Sequence, residues 1–234
     1  MPVSAIVGPV LVVVAHPDDE VLGCGATAAA LVNAGVEVAT CIVCGGASAR
    51  RHRPEDDELA YDLRVAHDLL GMTPVAVGDF PNIRLNTVPH LELVEFVEGA
   101  VLDTGARTVF THHPHDLNDD HLHTAKAARA AARLFQRRRE VPPLSALYYM
   151  EVLSSTEWSF PGLADPFRPD TFAEVGTDGI DKKVEALAAY RGVMRPYPHP
   201  RSDEAIRGLA ALRGGQSGMM YAEAFQTAYA TIHP

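Results

Sequence analysis

His16 and Asp19 stand three residues apart in the run Ala15-His16-Pro17-Asp18-Asp19-Glu20. Across a tight turn, an imidazole and a carboxylate at that spacing can converge on one metal ion. Nitrogen and oxygen donors that leave room for water suit metal-assisted hydrolysis. Asp18, beside Asp19 but not needed as a ligand, is placed to act as a base toward such a water. A second group of imidazoles lies far down the chain: His112, His113, His115, His121 and His123, interleaved with Asp116, Asn118, Asp119 and Asp120. Not all of these can be ligands. His121 is favoured because it follows two acids and starts a helix. One histidine from this group completes a two-His, one-carboxylate set with His16 and Asp19. Such a set fits catalytic zinc and also the facial triad of non-haem iron(II) oxygenases.

Asp and Pro are common in turns, and acids near a helix start complement its dipole. A lone Pro-Asp-Asp-Glu would therefore read as structural. His16 in front of it and the later histidine-rich loop turn the reading toward function.

The elements that position these residues are legible around them. Val10-Leu11-Val12-Val13-Val14 is an unbroken apolar run, the pattern of a strand buried on both faces. A small-residue helix pattern, Val21 to Leu31, follows. Thr108-Val109-Phe110-Thr111 is another strand, and it opens directly into His112. Open α/β sheets bind ligands at the carboxyl ends of their strands, so the two groups share one level if both strands are central. Strand patterns at 36–44 and 75–77 alternate with helical periods at 55–70 and 91–102, and a helix pattern spans Thr124 to Phe135. This predicts a Rossmann-like α/β fold, with a mostly parallel sheet and helices on both faces. After Pro143 the alternation lapses. A strand over Ser145 to Leu153 is followed by an irregular, Pro-rich stretch with one more extended piece. Helices are expected at Lys182 to Tyr190, Glu204 to Leu212 and Tyr221 to Tyr229. This last third is expected to be a strand-and-helix appendage on the sheet, leaving residues 1–234 as a single domain.

Two signals point elsewhere and are set aside. Gly23-Cys24-Gly25-Ala26-Thr27-Ala28 mimics a dinucleotide fingerprint, but a polar motif separates it from the strand, so its glycines fall inside the helix and serve packing. Cys41 and Cys44 have redox or zinc spacing but lie within a strand, whereas redox pairs sit at a helix N-terminus.

A chain of 234 residues can bury a sizeable core. Its net charge of −10 argues against nucleic acid or an anionic membrane as the main partner. The first apolar run has no basic flank, and no segment is long and apolar enough to span a bilayer. Three cysteines without a framework suit a reducing, cytoplasmic setting. Two other classes compete with hydrolysis. An iron(II) oxygenase would usually carry its triad on a β-barrel. A non-catalytic nucleotide-binding Rossmann module would have no use for His121.

The run His16-Pro17-Asp18-Asp19-Glu20 and the run Asp116-Leu117-Asn118-Asp119-Asp120-His121, each after a strand, resemble the PIG-L/LmbE-type family of metal-dependent N-deacetylases. The resemblance extends to Phe167-Arg168-Pro169, Tyr197-Pro198-His199-Pro200-Arg201-Ser202 and Ala222-Glu223-Ala224-Phe225. It implies a Rossmann-like fold and removal of an acyl group, usually acetyl, from an amino sugar or related glycoside. The expected partner is thus a small N-acylated amino sugar, sugar nucleotide or glycoside, with homo-oligomerisation open. The resemblance further implies that His16, Asp19 and His121 bind Zn2+, with Fe2+ or another divalent metal as the alternative. It makes Asp18 the general base, and Asp120 the residue that orients a ligand histidine. Many members carry a histidine three places before the third ligand; here Asn118 stands there. Asparagine donates a hydrogen bond but delivers no proton. Asn118 is therefore expected to orient the substrate or stabilise the oxyanion, with proton delivery falling to Asp18 or to His199. Arg51, Arg53, His199 and Arg201 are the candidates to hold sugar hydroxyls or a phosphate.

Overall fold

A computed structural model describes residues 5–46, 56–160 and 165–232. In chain order the elements are β1 (Val10–Val14), α1 (Asp19–Asn33), β2 (Val38–Ile42), α2 (Asp56–Leu70), β3 (Thr73–Val77), α3 (His90–Thr104), β4 (Thr108–His112), α4 (Asp119–Ala131), β5 (Ala146–Met150), β6 (Thr171–Glu174), α5 (Gly176–Ala189), α6 (Asp203–Ser217) and β7 (Ala222–Ala230). One sheet holds all seven strands in the order β3-β2-β1-β4-β5-β7-β6. The pairs from β3 through β5 are parallel, and β7 runs antiparallel to both of its neighbours. The fold is α/β, as the alternation of the first half predicts.

β1 is the centre of the sheet, and its composition follows from its two faces. Val10, Val12 and Val14 pack with Leu31 of α1, Leu63 and Leu70 of α2 and Leu187 of α5. Leu11 and Val13 pack on the other side with Leu93, Val97 and Val101 of α3 and Ala128 of α4. All five residues of the strand are fully buried, so no polar residue could alternate with them. The chain leaves β1 toward β2 on one side, while β4 lies on the other. The order of the sheet therefore reverses between β1 and β4, and such a switch point leaves a crevice at the strand ends.

The last third differs from its expectation. Tyr221 to Tyr229 is not a helix: residues 222–230 form β7, the strand between β5 and β6. Glu223, Phe225, Thr227 and Tyr229 alternate with smaller or polar residues, a period of two that alanine-rich composition obscures. The chain end thus extends the sheet by β7 and β6 instead of sitting on it, and only α5 and α6 lie against it. α5 also begins earlier than expected, at Gly176, and packs on α1 and α2.

α1 is broken at Cys24, whose φ of −150° is non-helical. The free backbone groups of the break are met from elsewhere. Glu223 of β7 accepts from Ala26 N (3.2 Å) and Thr27 N (2.7 Å). Lys183 of α5 donates to Leu22 O (2.7 Å) and to Glu223 Oε1 (2.6 Å). Gly23, within the first half, lets Met150 of β5 approach so closely that a Cβ there would lie 2.9 Å from its sulfur. The glycines serve packing, and a phosphate-binding turn directly after β1 is absent.

Candidate active site

The turn after β1 aims three side chains over the strand end. Asp18 adopts φ 100°, in the left-handed region, which Asp and Asn tolerate better than most residues. Glu20 holds it there: Oε2 accepts from Asp18 N (3.1 Å), while Oε1 meets Tyr190 OH (2.6 Å) and lies 3.3 Å from His67 Nε2. Glu20 is fully buried and clamps α1 to α2 and α5.

From the β4 side, His112 Nε2 accepts from Ala15 N (2.8 Å) and ties the two strand ends together. Burial, with His121 beside it, lowers the His112 pKa to about 3, so this ring is neutral. Its face stacks on His121 at 3.8 Å between centroids. His113 packs edge-on against Tyr149 and Phe167. Burial and its neighbour His115 bring it down to about 4. His115 bonds the carbonyl of Asp165, and His123 pairs with Asp119 on the surface. Of the five histidines, His121 alone comes to the crevice.

Asp19 Oδ2 lies 3.2 Å from His16 Nδ1 and 3.1 Å from His121 Nε2. Three donors bonded to one tetrahedral zinc at about 2.1 Å would stand about 3.4 Å apart, so the set fits a single ion with little adjustment. Each outward nitrogen faces a carboxylate, in a hydrogen bond at His16 and at ion-pair distance without hydrogen-bond alignment at His121. Asp120 Oδ2 lies 2.9 Å from His16 Nε2 and Asp116 Oδ1 lies 3.2 Å from His121 Nδ1. Such partners fix ring orientation and raise ligand basicity. Asp120 also accepts from Leu85 N (3.0 Å), binding the loop before α3 to the site. Asp116 accepts from the hydroxyls of Ser155 and Thr156. Burial opposes charge on His121, yet Asp19 and Asp116 overcome it and raise its pKa to about 10. The imidazolium thus balances acids that a cation would otherwise balance. His16, Cys44 and Asp120 also lie close together. Burial, with Asp120 and Asp19 nearby, pushes the Cys44 thiol well up, and a protonated thiol is a poor ligand. The Cys41 thiol, pushed by burial to about 12, is likewise inert.

The crevice above the donor set is a cavity of about 290 Å³, lined among others by Asp18, Asn118, Ser154, Arg195 and Arg201. Arg201 reaches Asp18 Oδ2 through Nη1 (3.3 Å) and Ser154 Oγ through Nε (2.7 Å). Asn118 caps α4, its Oδ1 accepting from Asp120 N (3.0 Å), and this leaves Nδ2 as the end free to donate. His199 does not line the cavity. Its Nδ1 accepts from Arg201 N (3.0 Å) and its ring meets Trp158 edge-on. Arg51 and Arg53 lie outside the described residues. Asp116, Glu20, Ser154 and Arg195 were not singled out for roles by sequence reasoning. Only Asp116 carries a signal, since it opens the run that ends in His121.

Fold and site together define an α/β protein with a His-Asp-His constellation at the switch point of its sheet. Residues 11–132, more than half the chain, match the family model described as PIG-L, GlcNAc-PI de-N-acetylase. The chain belongs to this family and is a deacetylase by class. Among solved structures it is similar to the conserved protein TT1542 from Thermus thermophilus, with 26% identity, 96% of each chain covered and a TM-score of 0.74. It shares the fold of GalB, the 4-carboxy-2-hydroxymuconate hydratase from Pseudomonas putida, at 20% identity, 96% and 98% coverage and a TM-score of 0.74. It also shares the fold of the N,N'-diacetylchitobiose deacetylase from Pyrococcus horikoshii, at 19% identity, 93% and 82% coverage and a TM-score of 0.70. No curated protein matches the chain by sequence. Among the described residues, no helix is long and apolar enough to cross a membrane.

Proposed function

We propose that this protein hydrolyses the N-acyl, in first place N-acetyl, group of an amino sugar, sugar nucleotide or glycoside, using one divalent ion held by His16, Asp19 and His121. Zinc is the ion favoured by two imidazoles and one carboxylate. The observation that carries the reading is the convergence of three buried donors beside a fourth group, Asp18, that is not one of them. The bound ion supplies an acidified water and polarises the acyl oxygen. The chain's own residues do the rest. Asp18, oriented by Arg201, accepts the proton of the attacking water. Asn118 Nδ2 donates to the developing oxyanion. Asp18, now protonated, returns its proton to the leaving nitrogen; His199, outside the cavity, is not needed for this step. Relatives in fold named as deacetylases of diacetylchitobiose and of teicoplanin support a sugar-bearing substrate. Three free cysteines support a cytoplasmic setting.

The test is acetate release by the metal-loaded protein from a panel of N-acetyl sugars, sugar nucleotides and glycosides, with and without oxygen. Release at equal rates in both atmospheres, abolished by a chelator and restored by zinc, is expected. A strict need for oxygen would overturn the hydrolytic reading.

A further inference from the structure

A second depression adjoins the catalytic cavity, and the two share Arg195. It measures about 640 Å³ and is lined by Trp158, Tyr197, His199 and the prolines 196, 198 and 200. Trp158 is 45% exposed and Tyr197 67% exposed. Together with the prolines they form one exposed apolar surface beside a polar catalytic crevice, and contiguous apolar surface of that kind marks a binding site. The His199 ring stands edge-on to Trp158 at 5.8 Å, and its Nδ1 is tied to Arg201 N, so the arginine that touches Asp18 also anchors this wall. The prolines stiffen the loop, and a rigid aromatic platform loses little entropy when a ring stacks on it.

Arg195 stands at the junction. Arg201 is committed to Asp18, whereas Arg195 makes no ion pair among the described residues. In a chain of net charge −10, an anion binds only where cations are locally placed. The order from the donor set outward is therefore acyl-amine chemistry, then a guanidinium without an ion pair among the described residues, then an aromatic platform. The catalytic cavity, at about 290 Å³, is just below the roughly 300–1,000 Å³ range of ligand pockets. It has room for one sugar, and the depression past Arg195 gives a larger substrate a place to extend.

We infer that the substrate is an N-acylated amino sugar carried on a nucleoside diphosphate: its phosphates lie on Arg195 and its base stacks on Trp158 and Tyr197. The inference rests on the deacetylase reading above. Bidentate guanidinium–phosphate pairing and base stacking on aromatic rings are the two interactions it requires.

Trp158 is the sole tryptophan of the chain, so intrinsic fluorescence reports on the platform without any turnover. UDP titrated into the metal-loaded protein should change that fluorescence saturably. Arg195→Gln should weaken the UDP response by about 10-fold or more, the scale of a hydrogen bond to a charged group. Tyr197→Ala should weaken it roughly 5-fold or more by lost stacking. In parallel, turnover per substrate affinity is compared for N-acetylglucosamine, its 1-phosphate, an aryl N-acetylglucosaminide and UDP-N-acetylglucosamine, in wild type, Arg195→Gln and Trp158→Ala. The nucleotide should be preferred, with each variant erasing one part of that preference. No saturable response to UDP overturns the inference. So does an aryl glycoside matching the nucleotide, which would make the platform an aglycone site. Saturable UDP binding that weakens in the variants, with no acetate released from any of the four compounds, would instead refute the deacetylase reading and leave the nucleotide site standing.

Discussion

Asp116 Oδ1 lies 3.2 Å from Nδ1 of His121, on the ring edge opposite the nitrogen that meets Asp19. Asp116 is itself fixed by Ser155, by Thr156 and by Asn118 N. It therefore holds His121 with Nε2 toward the metal position. Loss of such a partner costs about 10–100-fold in metal affinity. Asp116→Asn keeps the shape and weakens the hold, so zinc affinity should fall by that factor while turnover at saturating zinc falls less. Competition against a chromogenic chelator measures it, and unchanged affinity would make Asp116 a loop residue only.

The same geometry makes metal uptake pH-dependent. In the metal-free protein, His121 is buried but held at about 10 by Asp19 and Asp116, above the ordinary value of about 6.5. A histidine with a raised folded value stabilises the protein fully below the ordinary value, and that stability is lost as pH rises through about 10. A metal needs the neutral ring. Zinc binding at neutral pH should thus expel a proton from His121, and apparent affinity should climb as pH rises toward 10. Calorimetry in buffers of different protonation enthalpy counts the protons, and a count of zero would show that His121 is neutral already.

Asp18→Asn should retain metal and lose about 10²–10⁴-fold in turnover, the contribution of a positioned general base. Asparagine is the right replacement because it also tolerates the left-handed conformation seen at φ 100°. The melting temperature should change little. Near-normal turnover would leave Asp18 as a turn residue paired with Arg201.

How much of this was legible depended on where each residue's partners come from. β1 and β4 are readable because residues buried on both faces must all suit the core, and each strand runs straight into its polar turn. β7 is not, since alanine serves helix and strand alike and the decisive fact is its seat between β5 and β6. His16, Asp19 and His121 were visible as ligand types at strand ends. Asp116 was visible only as part of a run, because its partners Ser155 and Thr156 lie in the loop after β5. Glu20 sits inside the motif, and its clamping partners Tyr190 and His67, brought in by α5 and α2, show only in the fold. His199 shares its loop with Arg201, but the proline-braced turn puts the two on different walls.

The break in α1 gives a stability prediction. Lys183 and Glu223 are nearly buried, 5% and 6% exposed, and each also satisfies backbone groups of the broken helix. Removing one partner of a buried pair leaves an uncompensated charge, at about 3–5 kcal/mol. Lys183→Met should cost that much in chemical denaturation, and the double variant with Glu223→Gln should recover part of it. Additive losses would show that the backbone contacts, not the charge pair, carry the stabilisation.

Asn118 separates capping from catalysis. Its Oδ1 caps α4 through Asp120 N, and its Nδ2 is the donor proposed for the oxyanion. Asn118→Asp keeps an acceptor for the cap and removes the donor. Asn118→Ala removes both. Loss of an N-cap costs about 0.5–2 kcal/mol, whereas loss of one oxyanion donor costs about 10²–10³ in turnover. Asn118→Asp should therefore keep its stability and lose that factor in turnover, and Asn118→Ala should lose both. Because neither asparagine nor alanine titrates, Asn118→Ala should remove no limb of the pH profile, which keeps proton transfer with Asp18. Asn118→Ser, a cap that can also donate, should restore stability and part of the rate. If Asn118→Asp turns over like wild type, the residue is a cap and the oxyanion is stabilised without it; if a limb of the profile vanishes with Asn118→Ala, Asn118 governs the proton donor after all.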